Sequence, residues 1–236
     1  MTSPDDDQPA SLEDQARDFA DEMAGLLRGV VPNAPGIEAV RHRDRFVIRP
    51  IGSTDKERGV PLFVKDERLA TLNISLQCGL DSSGRWLTVY SSSFALVADL
   101  DRTPVLRFDY QRDMYRAPHA HVQVNAHRGA LTHLLSQAGH KSPHQMEALH
   151  IPVGGSRMRP CLEDLLQFLI VECGFDKKRQ WKRHVEAGRE RWRRRQVSAL
   201  VRDVHTDAAR VLETLGYTVT PPEDLPRESE KALRAW

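Results

Sequence analysis

The sequence predicts an α+β protein, with an antiparallel sheet of five to seven strands packed by an N-terminal helix and a C-terminal helical region. Three observations predict it. Apolar residues recur at helical spacing near the start and again after residue 160, the mark of helices with one buried face. In the middle, Leu72, Ile74 and Leu76 alternate with Asn73, Ser75 and Gln77, the two-residue period of a half-buried strand. The links between the middle segments are short and rich in turn residues, as at Asp81-Ser82-Ser83-Gly84. Short links favour antiparallel pairing, because a parallel pair needs a long crossover.

Taken in order, residues 1–10, with Asp5-Asp6-Asp7, read as a disordered lead-in to a core domain over 11–175. A helix over 11–30 carries the stripe Leu12, Ala16, Phe19, Met23, Leu26, Leu27 and Val30, with Ser11 as its cap and Asp14 in a capping-box position. Pro32 to Gly36 ends it. Arg45–Arg49, Val60–Val64, Leu72–Leu76, Trp86–Tyr90, Phe94–Ala98, Val105–Tyr110 and His119–Asn125 read as successive strands, Gly129–Gln137 as a short helix and His150–Val153 as a last strand. Pro160–Cys173 is predicted helical, with Pro early, Glu163 and Asp164 in its first turn and Gly174 just past its end. Residues 177–215 read as one helix or two in series, forming a basic and amphipathic arm over 176–216, and 217–236 as a loose tail.

Composition narrows the function classes. Of 236 residues, 40% are hydrophobic and 28% charged, and the net charge is +1. These values suit an ordinary globular core and exclude a polyelectrolyte. Cys78, Cys161 and Cys173 form no C-x-x-C pair, and no apolar stretch approaches the ~18 residues of a membrane span. The polar, acidic start is unlike a signal peptide. The expectation is a cytoplasmic protein with no membrane contact.

Seven of the ten histidines fall between His119 and His150. Histidine titrates near neutral pH and is the commonest metal ligand, so this window is the leading candidate site. On a strand, side chains two apart share a face. His119, His121 and Gln123 would then face one way while Ala120, Val122 and Val124 face the core. Arg107 and Asp109, on a neighbouring strand, would supply charge. Further on, Gly154 and Gly155 lead through Arg157 and Arg159 into the Pro160 helix. Free N–H groups at a helix start, approached closely across glycine and flanked by arginine, suit a phosphate. These residues point to phosphodiesterase, nuclease or nucleotidyl-transfer chemistry, with His119, His121 and His150 as the catalytic set. Gln123, Arg107, Asp109, Gly154, Gly155, Arg157 and Arg159 would bind substrate or phosphate. No cofactor is required. A divalent metal is the competing use of the histidines, although no pair has H-E-x-x-H spacing and no ligand set stands out.

The basic arm gives the alternative function. Asp176 to Gln196 holds ten Lys or Arg and three acids, with Trp181 and Trp192 on one helical face. Basic charge with interleaved aromatics suits nucleic acid, through Trp181, Lys182, Arg183, Trp192 and Arg193. The same region, 177–215, suits a protein partner or self-association. The chain would then be a non-catalytic accessory protein whose histidines are structural.

Two resemblances bear on this choice. His119-Ala120-His121-Val122-Gln123 resembles the H-x-H-x-Q variant of the histidine-triad superfamily, its transferase branch. That resemblance implies His121 as a nucleophile toward a nucleotide α-phosphate, His119 as its support and Gln123 as a phosphate contact. More of the chain, about residues 105–175, resembles uncharacterised bacterial families, some encoded near mobile or defence-related genes. The residues carrying this likeness are Arg107-Phe108-Asp109-Tyr110, Pro118-x-x-His121, His150-Ile151-Pro152-Val153-Gly154-Gly155 and the helix after them. It implies no known reaction.

Overall fold

The computed structural model describes residues 10–52, 59–115, 117–225, 227, 228 and 234. The lead-in expected over residues 1–10 lies, except for Ala10, outside the described residues. Helix α1 runs over Leu12–Val30. The Ser11 hydroxyl accepts the Asp14 N–H at 3.2 Å and donates to the Asp14 carboxylate at 2.7 Å, so one orphan donor of the first turn is satisfied. The apolar stripe buries Ala16, Met23, Leu27 and Val30.

Among the described residues eight strands follow, all antiparallel: β1 (Ile37–His42), β2 (Arg45–Pro50), β3 (Gly59–Val64), β4 (Glu67–Leu80), β5 (Leu87–Ala98), β6 (Pro104–Gln111), β7 (Ala120–Val124) and β8 (Ile151–Pro152). Their order across the sheet is β1-β2-β4-β5-β6-β7-β8. β4 is long enough to take β2 and β3 end to end on one edge and β5 on the other.

The sheet is thus one strand larger than the expected upper bound, and two details differ from the strand pattern. β1 closes a hairpin with β2 that the sequence did not signal, since Ile37-Glu38-Ala39-Val40-Arg41-His42 has no clean two-residue alternation. Trp86–Tyr90 and Phe94–Ala98 are not separate strands but two halves of β5, joined through Ser91-Ser92-Ser93. A bulge links the halves: Gln77 pairs with Ser91 and Cys78 with Val89, leaving Tyr90 as the extra residue.

The helices after β7 are α2 (Gly129–Gln137), a 3-10 turn at Met146–Ala148, α3 (Gly155–Met158), α4 (Leu162–Val171), α5 (Trp181–Asp203) and α6 (His205–Thr214). The region 177–215 therefore forms two helices in series. The core lies between one face of the sheet and α1, α4 and α5. Leu27, Ile48, Leu72, Leu165, Leu166, Leu169 and Val185 are all 0–1% exposed there, each such burial contributing about 1.5–3 kcal/mol.

The basic helix α5 packs on this core. Arg189 bonds Asp164 at 2.7 Å and Gln167 at 2.6 Å, while Arg191 and Arg195 both reach Glu22 on α1. The Asp176 carboxylate accepts the N–H groups of Lys65 and Asp66 at the β3–β4 turn. The apolar stripe expected further along is at the surface: Val197, Val201, Val211, Leu212 and Leu215 are all exposed. The opposite face of the sheet stays open at β4, where Asn73, Ser75 and Gln77 are exposed.

Candidate functional site

β6 and β7 pair in register, Asp109 opposite His121 and Arg107 opposite Gln123. Since alternate residues share a face, these four side chains stand together on the open side of the sheet. Phe108, Tyr110, Ala120 and Val122 take the other side. β8 then pairs with β7, Pro152 opposite His121, and brings His150 onto the same group.

His121 is 3% exposed. Its Nδ1 lies 2.9 Å from the Pro118 carbonyl oxygen. A carbonyl only accepts, so Nδ1 carries the proton and Nε2 presents a lone pair when the ring is neutral. The His150 ring meets it edge-on, centroids 4.6 Å apart at 72°, and His150 itself is exposed. Burial, and after it the neighbouring His121, holds the His150 pKa below the usual imidazole value. Asp109 pulls the other way, and Arg107 adds to the lowering.

The remaining members fix the frame. Arg107 Nη2 donates to Asp109 Oδ2 at 2.7 Å, the arginine side chain 44% exposed and the carboxylate 15%. Asp109 Oδ1 is buried and has no hydrogen-bond partner among the described residues. Gln123 donates through Nε2 to the Glu147 carbonyl at 2.9 Å, and the same atom lies 3.4 Å from His150 Nε2. The amide thus holds the 146–150 segment against β7.

The structure brings together His121, His150, Gln123, Arg107 and Asp109. His119 stands just before β7, half-buried, with its carbonyl accepting the Gln111 N–H at 2.8 Å. The exposure expected at His121 falls on His150 instead, because β8 and the 146–150 segment cover β7. Of the rest of the window, His127, His133 and His144 are exposed, and His140 accepts the Ser142 N–H at its Nδ1.

The phosphate residues foreseen after Gly154 lie elsewhere. Gly154 (φ 77°) and Gly155 (φ 64°) are left-handed and open the single turn α3. A Cβ at Gly154 would sit 2.8 Å from that of Met158, so the turn needs glycine on both counts. α4 begins separately, and Asp164 already occupies its N-terminus by accepting the Cys161 N–H at 3.2 Å. Arg157 is held by Asp203 at 2.8 and 3.3 Å. Arg159 lies on the helical side, its guanidinium 3.8 Å from the Tyr110 ring centroid and 4.8 Å from that of Trp192. Burial pushes its pKa down to about 10. The cavity there, about 40 Å³ and lined by Phe19, Phe94, Arg159, Glu163 and Trp192, has room for a few waters.

On α5, Trp181 packs against the core and Trp192 lies half-buried beneath Arg159. Lys182, Arg183 and Arg193 are exposed, Lys182 facing Glu186 at 3.9 Å. Among the described residues no group of three or more His, Cys, Asp or Glu side chains is arranged to hold a metal ion. No described helix is long and apolar enough to cross a membrane.

Two features of the open face escaped the sequence. One is the Pro118 carbonyl that sets the His121 tautomer. The other is Tyr90, aimed outward by the β5 bulge, with the guanidiniums of Arg45 and Arg112 4.1 and 4.7 Å from its ring centroid. These three residues lie on different segments, and nothing in their local sequence announces the meeting. Compared with family models, with curated proteins and with solved structures, the chain has no match.

Proposed function

We propose that the chain acts on phosphodiester bonds through His150, the exposed member of the His121–His150–Asp109–Arg107–Gln123 group. The observation that carries this reading is the contact of two imidazoles at 4.6 Å beside a partly exposed arginine and a nearly buried carboxylate. A neutral imidazole at neutral pH accepts a proton from an attacking hydroxyl. Arg107 presents donors to a phosphoryl oxygen. His121 and Gln123 are positioning residues, which hold His150 and bias its protonation without needing to touch substrate.

The test is turnover of labelled RNA and DNA oligonucleotides and of cyclic nucleotides by the wild type and His150→Ala. General acid–base groups contribute about 10²–10⁴ in rate, and a loss of that size in the variant is expected. Equal activity in the two proteins refutes the assignment, as does a wild type that turns over none of the substrates. A second reading is favoured by the exposed Val197, Val201, Val211 and Leu215. In it, the chain is a binding protein whose partner covers the C-terminal helices.

A further inference from the structure

The face of the sheet that holds the histidines extends well beyond them. From β7 it crosses β6 and β5 to β4 and β2. Its central floor is Ser75 opposite Ser93 and Gln77 opposite Ser91, with Ser93 in turn opposite Asp109. No Asp or Glu stands among the outward residues of β4 from 71 to 77 or of β5 from 91 to 97. Arg45 and Arg112 stand at one end over Tyr90, and Arg107 stands at the other beside the histidines. Tyr90 and His121 lie two strand steps apart across the sheet, roughly 10 Å.

We infer that this open face is the docking track for single-stranded RNA, leading the strand from the Arg45–Tyr90–Arg112 cluster to His150. The inference rests on reading the His150 group as a phosphodiester site. Charge complementarity selects a polyanion, since cations mark both ends of a face whose β4 and β5 floor carries no acid, and the carboxylate beside that floor on β6, Asp109, is neutralised by Arg107 at 2.7 Å. Single strands suit it because guanidinium planes can stack on unpaired bases while their charge follows the backbone. Ribose suits it because a floor of hydroxyls and amides can both donate to and accept from a 2′-OH, the group that distinguishes RNA from DNA.

The 2′-OH also supplies the nucleophile. His150 removes its proton, the 2′ oxygen bonds to phosphorus, and the P–O5′ bond breaks with its electron pair passing to O5′. The proton on His150 then passes to O5′. The products are a 2′,3′-cyclic phosphate end and a 5′-hydroxyl end.

The experiment is fluorescence anisotropy with a labelled single-stranded RNA of about eight nucleotides, beside matched single-stranded DNA and duplex RNA, over a range of salt. Ser75→Glu places a like charge on the exposed centre of the track, at a side chain exposed to solvent. It should weaken RNA binding at least about tenfold at low salt. Ser198→Glu, an equal charge on the outer side of α5, should leave binding as in the wild type. Arg45→Gln with Arg112→Gln should flatten the salt dependence by about 0.7 in log–log slope for each phosphate no longer neutralised. Should that double variant unfold, Ser75→Glu alone decides. Binding unchanged in Ser75→Glu, binding abolished in Ser198→Glu, or preference for DNA or duplex each overturns the inference. RNA binding that obeys the Ser75 test without cleavage in the wild type leaves the track standing and removes the phosphodiesterase reading.

Discussion

Arg159→Met separates the two sides of the sheet and sets two large opposing effects against each other. The guanidinium lies over both Tyr110 and Trp192, and a desolvated cation–π contact is worth up to about 2 kcal/mol. Removing both therefore costs about 1–4 kcal/mol. Against this, burial has pushed the Arg159 pKa well below the usual guanidinium value, down to about 10, which corresponds to about 3 kcal/mol of disfavour for the charged form. Methionine keeps most of the packing volume, interacts with aromatic rings itself and releases that burden. The two effects nearly cancel, so urea denaturation should place Arg159→Met within about 1 kcal/mol of the wild type. Arg159→Ala leaves a void and should cost about 2–4 kcal/mol. RNA turnover by Arg159→Met should be unchanged, because the side chain is on the far side of the sheet from His150. A loss above about 3 kcal/mol would show that Arg159 anchors the helical layer by more than its ring contacts. A selective loss of turnover with stability intact would return it to the substrate site.

Further outcomes follow from the same structure. The acidic limb of the turnover–pH profile should lie below pH 6.5, because the neutral form of His150 is favoured. Asp109→Asn removes a raising influence and should move that limb lower, while Arg107→Gln removes a lowering one and should move it higher. The same depression affects stability: below pH 6.5 the unfolded chain takes up the His150 proton first, so this residue's contribution to stability falls as pH falls through the window beneath 6.5. Gly188→Ala sets the new Cβ against the buried Glu163 side chain. It should destabilise the protein in urea by up to about 2 kcal/mol, strain outweighing the ~1 kcal/mol gain in helix propensity. A thiol reagent on the native protein should modify Cys173 alone, since Cys78 and Cys161 are buried and burial pushes the Cys78 thiol up to about 12. Labelling of Cys161 would show that the α4 start opens.

Legibility tracked how local each feature was. α1 and α4 could be read because a cap, a first-turn acid and an apolar stripe all fall within one segment. β4 could be read because a single unbroken alternation runs along it. β5 could not, because its inward residues are Leu87 and Val89 in one half and Ser92, Phe94 and Leu96 in the other. The alternation slips by one at the bulge, and three serines at the slip resemble a turn. At the site, the pairing of Arg107 and Asp109 with Gln123 and His121 was visible as a conditional statement about neighbouring strands, and the register fulfils that condition. The destinations of Arg157 and Arg159 were invisible, since Asp203, Tyr110 and Trp192 are remote in sequence and only the packing of α5 brings them near.

The slip in β5 reaches beyond strand assignment. Gln77 pairs with Ser91 and Cys78 with Val89, with Tyr90 between them as the extra residue, so the bulge adds one outward side chain without withdrawing any inward one. Deleting Ser91 would let Tyr90 pair with Gln77 and keep Val89 opposite Cys78, leaving the interior as it was. A single-codon deletion at this point therefore edits only the outer surface. The chain can shorten the outer face of its sheet there while its interior stays blind to the change.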